Sequence, residues 1–249
     1  MIGDVARQTD QNRAFARQLA ADSIASGDNV GWFEKLYAAA ETGAATVPWA
    51  DFTPNPNLVT ALADLSGLPY PAGLPDLHMA PARERALVVG CGYGDDAEYV
   101  ASLGFDTVAF DVAPSAITGA LRNHPQSTVE YVTADLLAPP DSWVDRFDLV
   151  VEVYTIQVLT GDARRRAIEQ LSRLVAPGGR LLVIARARDE SDPPGQMPWP
   201  LTRADIEAFQ VYGLSPVSIV DFMDPQEPEV RRWKAWYAKD AKVSGQQEG

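Results

Sequence analysis

The stretch Ala86-Leu87-Val88-Val89-Gly90-Cys91-Gly92-Tyr93-Gly94-Asp95-Asp96 decides the fold of this chain. Four apolar residues with no polar interruption read as a strand buried on both faces. Glycines at three alternate positions let the backbone turn sharply and approach a ligand closely. The helix that follows carries Ala97, Val100, Ala101 and Leu103 and presents free N–H groups at its start. About 20 residues on, Asp111 ends the next strand-like run, where a carboxylate can accept from both hydroxyls of a ribose.

Strands and helices continue to alternate outward from this unit. Residues 129–132 and 147–153 read as third and fourth strands. A helix over 162–175 ends at Pro177-Gly178-Gly179, a turn that feeds a fifth strand over 180–185. Thr202 and Asp205 form a capping-box-like start, an acid replacing the usual Glu, for a helix with Ile206, Phe209 and Tyr212. Residues 217–220 and 230–238 close the pattern as an antiparallel pair at one edge. The expected fold is α/β, a doubly wound seven-stranded Rossmann-like sheet that binds ligands at the C-terminal ends of its strands, with a helical N-terminal cap.

Three regions follow. Residues 1–83 form a helical cap or lid and its connection, 84–243 the ligand-binding core, and 244–249 a flexible polar tail. Within the cap, Ala14, Phe15, Leu19 and Ile24 suggest a helical stripe broken near Gly27, and Trp32, Phe33, Leu36 and Tyr37 start a second helix. Asn55 is an N-cap with Pro56 at the first helical position, ahead of Leu58, Leu62 and Leu65. The proline-rich residues 67–81 read as an irregular connection.

Composition narrows the function. Of 249 residues, 46% are hydrophobic and 22% charged, as in an ordinary globular protein. The net charge of −13, from 34 acids against 21 Lys and Arg, disfavours a polyanionic partner, so no nucleic acid is expected. Cys91 is the single cysteine and His78 and His124 are the two histidines, which excludes a disulfide within the chain and argues against a metal site. The N-terminus lacks a signal-peptide pattern and no apolar run is long enough to span a bilayer, so a cytoplasmic location without a membrane partner is expected. Oligomeric state is left open.

The acids around the glycine loop choose the ligand. Asp95 and Asp96 open the helix where a dinucleotide would seat its pyrophosphate, and two carboxylates there would repel phosphate. S-adenosylmethionine (SAM) has no phosphate and carries a sulfonium and an amino group, which suits acids. Asp135, past the third strand, is placed either to accept from the adenine amino group or to serve its turn. Glu152 and Tyr154, at the end of the fourth strand, are either site-lining or, for Glu152, part of a buried ion pair. Arg186 and Arg188 follow the fifth strand and either hold an anion on the acceptor or pair with Asp189, Glu190 and Asp192. Trp199, in a proline-rich loop, is either an acceptor-pocket wall or edge packing.

These residues resemble a known group. The run from Ala86 to Val100 looks like motif I of class I methyltransferases, and Leu174 to Val183 resembles the turn into their fifth strand. Trp32, then Pro48-Trp49-Ala50-Asp51, then Pro54 and Leu58 are similar to the N-terminal pattern of the thiopurine and thiol methyltransferase family. That resemblance implies that Trp32 and Trp49 close over SAM, that Gly90, Gly92 and Gly94 cradle its methionine moiety, and that Asp111 holds its ribose. Ala50 departs from the family's habit of placing Asp directly after Pro-Trp. With Cys91, Val112, Asp135, Leu136 and Glu152, these residues complete the candidate cofactor set, and Glu152 and Tyr154 are the candidate catalytic residues.

The reaction implied is methyl transfer from SAM to a small-molecule thiol, aromatic heteroatom or hydroxyl. The segment 152–155 lacks the Asn-Pro-Pro-Tyr pattern of amino-nucleobase methylation. Neither histidine stands where a general base is needed; both read as surface residues. The alternatives are a nicotinamide-dependent oxidoreductase on the same fold and a SAM-binding protein without catalysis.

Overall fold

A computed structural model describes residues 2–63, 84–226 and 228–241. Leu65, His78, the proline-rich connection and the 244–249 tail lie outside the described residues. The chain builds one seven-stranded sheet in the order β3-β2-β1-β4-β5-β7-β6. Strands β1 (Arg85–Val89), β2 (Asp106–Asp111), β3 (Glu130–Thr133), β4 (Phe147–Val153) and β5 (Val175–Arg186) are mutually parallel. The strands β6 (Leu214–Asp224) and β7 (Val230–Lys239) form the antiparallel edge expected from the sequence, with β7 also antiparallel to β5.

The central strands explain their own apolarity. On β1, Leu87 and Val89 join one hydrophobic cluster while Ala86 and Val88 join the other, on the opposite sheet face. On β5, Leu181 and Val183 alternate in the same way with Leu182 and Ile184. Helices α4 (Asp95–Ser102), α5 (Pro114–Asn123), α6 (Gly161–Leu174) and α7 (Arg203–Glu207) cover these faces. The capping box of α7 is formed in full: the Thr202 hydroxyl accepts from Asp205 N, and the Asp205 carboxylate accepts from Thr202 N.

Two boundaries differ from the sequence reading. Pro177-Gly178-Gly179 lies inside β5 instead of before it, because pairing with β4 begins at Phe147↔Val175 and resumes at Leu149↔Arg180 after an irregularity. A side chain at Gly179 would meet the Phe147 and Ala176 carbonyls at 2.9 Å. The edge strand β6 runs well beyond 217–220, since an edge needs only one buried side and tolerates polar residues.

Ahead of β1 come α1 (Ile2–Ala25) and α2 (Gly31–Glu41), which pack together as a cap, and α3 (Pro56–Ala63), whose Leu58, Ala61 and Leu62 join a core cluster of the sheet. A third cluster buries Ala16, Ala20, Trp32, Leu36 and Tyr37. Of the expected stripe on α1, Leu19 packs against this cluster, whereas Phe15 is exposed and Ala16 and Ala20 are the buried residues. Small residues there let the two helices approach. Asn55 caps α3 as expected, its side chain accepting from Asn57 N at 2.9 Å.

Candidate active site

Strand order reverses between β1 and β4, where connections leave β1 and β4 toward opposite sides and open a crevice. Gly90, Gly92 and Gly94 all have positive φ, of 62°, 53° and 96°. At Gly94 a side chain would also overlap the Tyr131 hydroxyl, so glycine is required there by both conformation and space. Cys91 N donates to Phe110 O at 2.9 Å, which ties the loop to the end of β2.

Asp111 fixes the loop from that strand. Its buried carboxylate accepts from Gly92 N at 3.0 Å and Ala113 N at 2.9 Å, one bond to each oxygen. Each oxygen keeps a further acceptor site. Burial pushes its pKa up to about 6, while the Ala113 and Gly92 N–H groups act in the opposite direction.

A cavity of about 220 Å³ fills the crevice. Of the sequence candidates, Trp49, Gly90, Cys91, Gly92, Asp111, Val112, Asp135, Leu136 and Tyr154 line it. Gly94 instead caps α4 just behind the wall. Asp135 serves the turn as well, its Oδ1 accepting from Leu137 N at 2.8 Å. Trp32 is fully buried within the cap, stacked on Phe33 at 3.8 Å, and is not on the cavity wall.

Glu152 also stands off the wall, completely buried. It has no ion-pair partner among the described residues: Oε1 accepts from Thr155 N at 2.6 Å and Ile156 N at 2.9 Å, and buried Oε2 has no partner. Burial pushes its pKa up to about 7, against the pull of those two N–H groups. Its proton is therefore poised near neutrality.

The acids after the loop face the cavity, as do parts of the cap. Asp95 and Asp96 both line it, and Asp96 accepts from Asn55 N at 2.7 Å, tying the start of α3 to α4. Burial raises the Asp96 pKa to about 6. His124 is not the surface residue expected: it is half-buried, with Nε2 4.0 Å from Asp95 Oδ1. Trp199 packs with the cap cluster and is not on the wall.

Sequence reasoning did not select the aromatic side of the cavity. Phe33, Tyr37 and Tyr93 line it. Tyr37 OH accepts from Trp49 Nε1 at 3.0 Å, and Tyr37 meets Tyr93 edge-on at 5.2 Å. Phe33 and Tyr37 are four apart on α2, hence on one helix face, a signal available in the sequence. On the opposite side, Tyr154 adopts φ +64° and its ring lies 4.7 Å below the Arg232 guanidinium. Among the described residues, no group of acids, histidine and cysteine is arranged to hold a metal ion, and no helix is long and apolar enough to cross a membrane.

Comparison with known proteins agrees with this geometry. Residues 86–179 match the model of a methyltransferase domain family. An uncharacterised methyltransferase of Mycobacterium tuberculosis is 30% identical over 121 residues, 49% of this chain and 47% of the relative, so the match spans about half the relative's length. A probable thiol methyltransferase of Arabidopsis thaliana is 25% identical over 203 residues, 80% of each chain. Among solved structures, the N-methyltransferase NodS of Bradyrhizobium japonicum, in complex with S-adenosylhomocysteine (SAH), superposes with a TM-score of 0.61 at 22% identity, over 83% of this chain and 98% of that one. The match over residues 86–179 takes in the glycine loop, its acid and the strands on either side of the crevice, and the likeness to the solved structure shows the same fold.

Proposed function

We propose that this chain binds SAM in the cavity and transfers its methyl group to a small-molecule nucleophile. The observation that carries the reading is the acidic wall around the glycine loop. Asp95 and Asp96 line the cavity at the helix start where a dinucleotide would seat its phosphates, and Asp111 and Asp135 add two further acids to the same wall. Such a wall favours a cationic, phosphate-free ligand and disfavours the nicotinamide alternative.

Each part of the site has a task under this reading. The Asp111 carboxylate accepts from the ribose hydroxyls while its backbone bonds hold the loop. Asp135 is placed for the adenine amino group, and the glycine loop admits the methionine moiety against bare backbone. When bound, SAM supplies an electrophilic methyl on a sulfonium. The Tyr37, Trp49 and Tyr93 rings exclude water from the other side, where displacement needs alignment and a dry path more than a strong base. Tyr154 presents its ring and hydroxyl at the acceptor end.

A small thiol is the first acceptor to test, given the similarity to a protein named a probable thiol methyltransferase. Calorimetry with SAM, SAH and NAD tests the cofactor: saturable binding of SAM and SAH is expected. Binding of NAD without a response to SAM would reject the reading. Turnover across an acceptor screen with labelled SAM then separates an enzyme from a silent SAM-binding protein.

A further inference from the structure

Arg186 and Arg188 look equivalent in the sequence, and the structure separates them. Arg188 turns to the surface loop, where Nη1 donates to the carbonyls of Asp189 at 3.1 Å and Asp192 at 2.9 Å. Its Nε donates to Pro200 O at 3.2 Å. Arg186, at the C-terminal end of β5, is the cross-strand partner of Arg232 on β7, so both side chains leave the same sheet face.

That face reaches the cavity through Tyr154, in front of Arg232. Arg232 is buried with Nε 2.5 Å from Asp224 Oδ2, and its guanidinium covers the Tyr154 ring. Tyr154 is on the cavity wall, and its hydroxyl makes no hydrogen bond of good geometry. From the cap, the charge of Arg17 on α1 bears on Arg186, and its Nε donates to Met197 O at 2.9 Å. Arg13 lies one turn earlier on the same helix face.

The charges do not balance there. Half-buried Arg186 has no carboxylate within ion-pair distance among the described residues, whereas Arg231 has two and Arg232 has one. Burial, followed by the charges of Arg232, Arg13 and Arg17, holds its pKa below the usual arginine range. In a chain of net charge −13, half-buried Arg186 thus feels three other guanidinium groups, and among the described residues these four have one carboxylate within ion-pair distance, Asp224 on Arg232. A half-buried guanidinium without a carboxylate is a place that an anion would complete.

We propose that Arg186, with Arg17 and Arg13 beside it, binds a carboxylate carried by the methyl acceptor, with the Tyr154 ring between that carboxylate and the reacting atom. The proposal rests on the methyl-transfer reading above and adds the class of acceptor. A guanidinium fork matches a carboxylate with two parallel hydrogen bonds. A doubly charged phosphate would meet more repulsion from Asp51, Asp95, Asp96, Asp111 and Asp135, all on the wall of the adjoining cavity.

The test uses the full chain saturated with SAH, with calorimetry as the readout instead of turnover. The three mercaptobenzoates, salicylate and benzoate are each titrated against their own methyl esters. At least one acid should bind about tenfold or more tightly than its ester, the gain of one charge-assisted pair. Arg186→Gln should erase that preference while SAH affinity stays unchanged. Arg17→Gln should reduce it by a smaller factor, and it keeps the test decisive if the first variant does not fold. Equal affinity of every acid and ester in the wild type, absence of binding included, overturns the proposal, as does a preference that survives both variants. SAH is titrated first: no SAH binding overturns the methyl-transfer reading and this inference with it, whereas equal acids and esters with SAH bound count against this inference alone.

Discussion

Glu34 of the cap accepts two hydrogen bonds from Ser115 at the start of α5, from the backbone N–H at 3.0 Å and from the hydroxyl at 2.7 Å. A carboxylate in this place satisfies a free N–H of the helix and complements its dipole. It also joins cap to core beside the cavity. Ser115→Ala removes one bond and should lower stability by about 1–2 kcal/mol, and Glu34→Ala, which removes both, by about 2–3 kcal/mol. Urea midpoints at neutral pH measure this. Unchanged midpoints in both variants would show that the cap is held elsewhere.

Trp32 and Trp49 should answer cofactor binding differently. Trp32 is 0% exposed, stacked in the cap, whereas Trp49 is 40% exposed on the cavity wall. Hydrogen exchange over residues 47–53 should slow several-fold with SAH, while α2 around Trp32 changes little. Equal slowing in both segments would indicate that the whole cap orders as a unit.

The contrast between these two tryptophans also marks how far the sequence can be read. Central strands are legible because burial on both faces demands unbroken apolarity, as in residues 86–89 and 149–151. Caps are legible because their chemistry is local, as at Asn55 and Thr202. What tertiary packing decides is not. Trp32 and its neighbour Phe33 differ by about 100° around α2, and nothing local says which faces the core. Arg186 and Arg188 sit two residues apart in one extended segment, yet Arg188 meets the surface loop and Arg186 faces Arg232 across the strands. Glu152 illustrates a third limit: a buried acid suggests a partner, and the partners are two backbone N–H groups that no side-chain pattern announces.

Gly94 and Gly104 offer a matched pair. Both have φ near 100°, but a side chain at Gly94 overlaps the Tyr131 hydroxyl, and at Gly104 it meets nothing within 4 Å. Gly104→Ala should cost about 1–2 kcal/mol of stability from backbone strain alone and leave SAM affinity unchanged. Gly94→Ala should cost more and, by displacing the loop, weaken SAM at least about tenfold. Similar SAM dissociation constants for the two folded variants would mean that the loop geometry does not set affinity.

Glu152 should make stability fall as pH rises. Its folded pKa of about 7 lies above the ordinary 4.5, so the native state keeps a proton that the unfolded chain releases. The contribution is fully present below about pH 4.5 and is lost progressively up to about pH 7, by at most about 3 kcal/mol. Glu152→Gln keeps an acceptor for Thr155 N and Ile156 N and removes the charge. The variant should therefore be the more stable protein at pH 8 and should lose this pH slope. A wild-type and variant difference independent of pH between 5 and 8 would contradict the assignment.

Methyl transfer should not depend on a base from the protein. Burial raises the Tyr154 pKa, with Arg232 pulling the other way, so its phenol keeps its proton at neutral pH and cannot accept another. His124, with Nε2 4.0 Å from Asp95 Oδ1, is not on the cavity wall. A thiol needs neither, because it ionises near neutrality on its own. Across a series of thiols, the pH profile of turnover should move with each thiol's pKa. Tyr154→Phe and His124→Ala should both keep kcat within about tenfold, the range left by lost positioning without lost acid–base chemistry. One pKa near 7 shared by every acceptor would instead assign the proton to Glu152. Its disappearance in Glu152→Gln, with SAM binding intact, would confirm that assignment and reject the base-free mechanism.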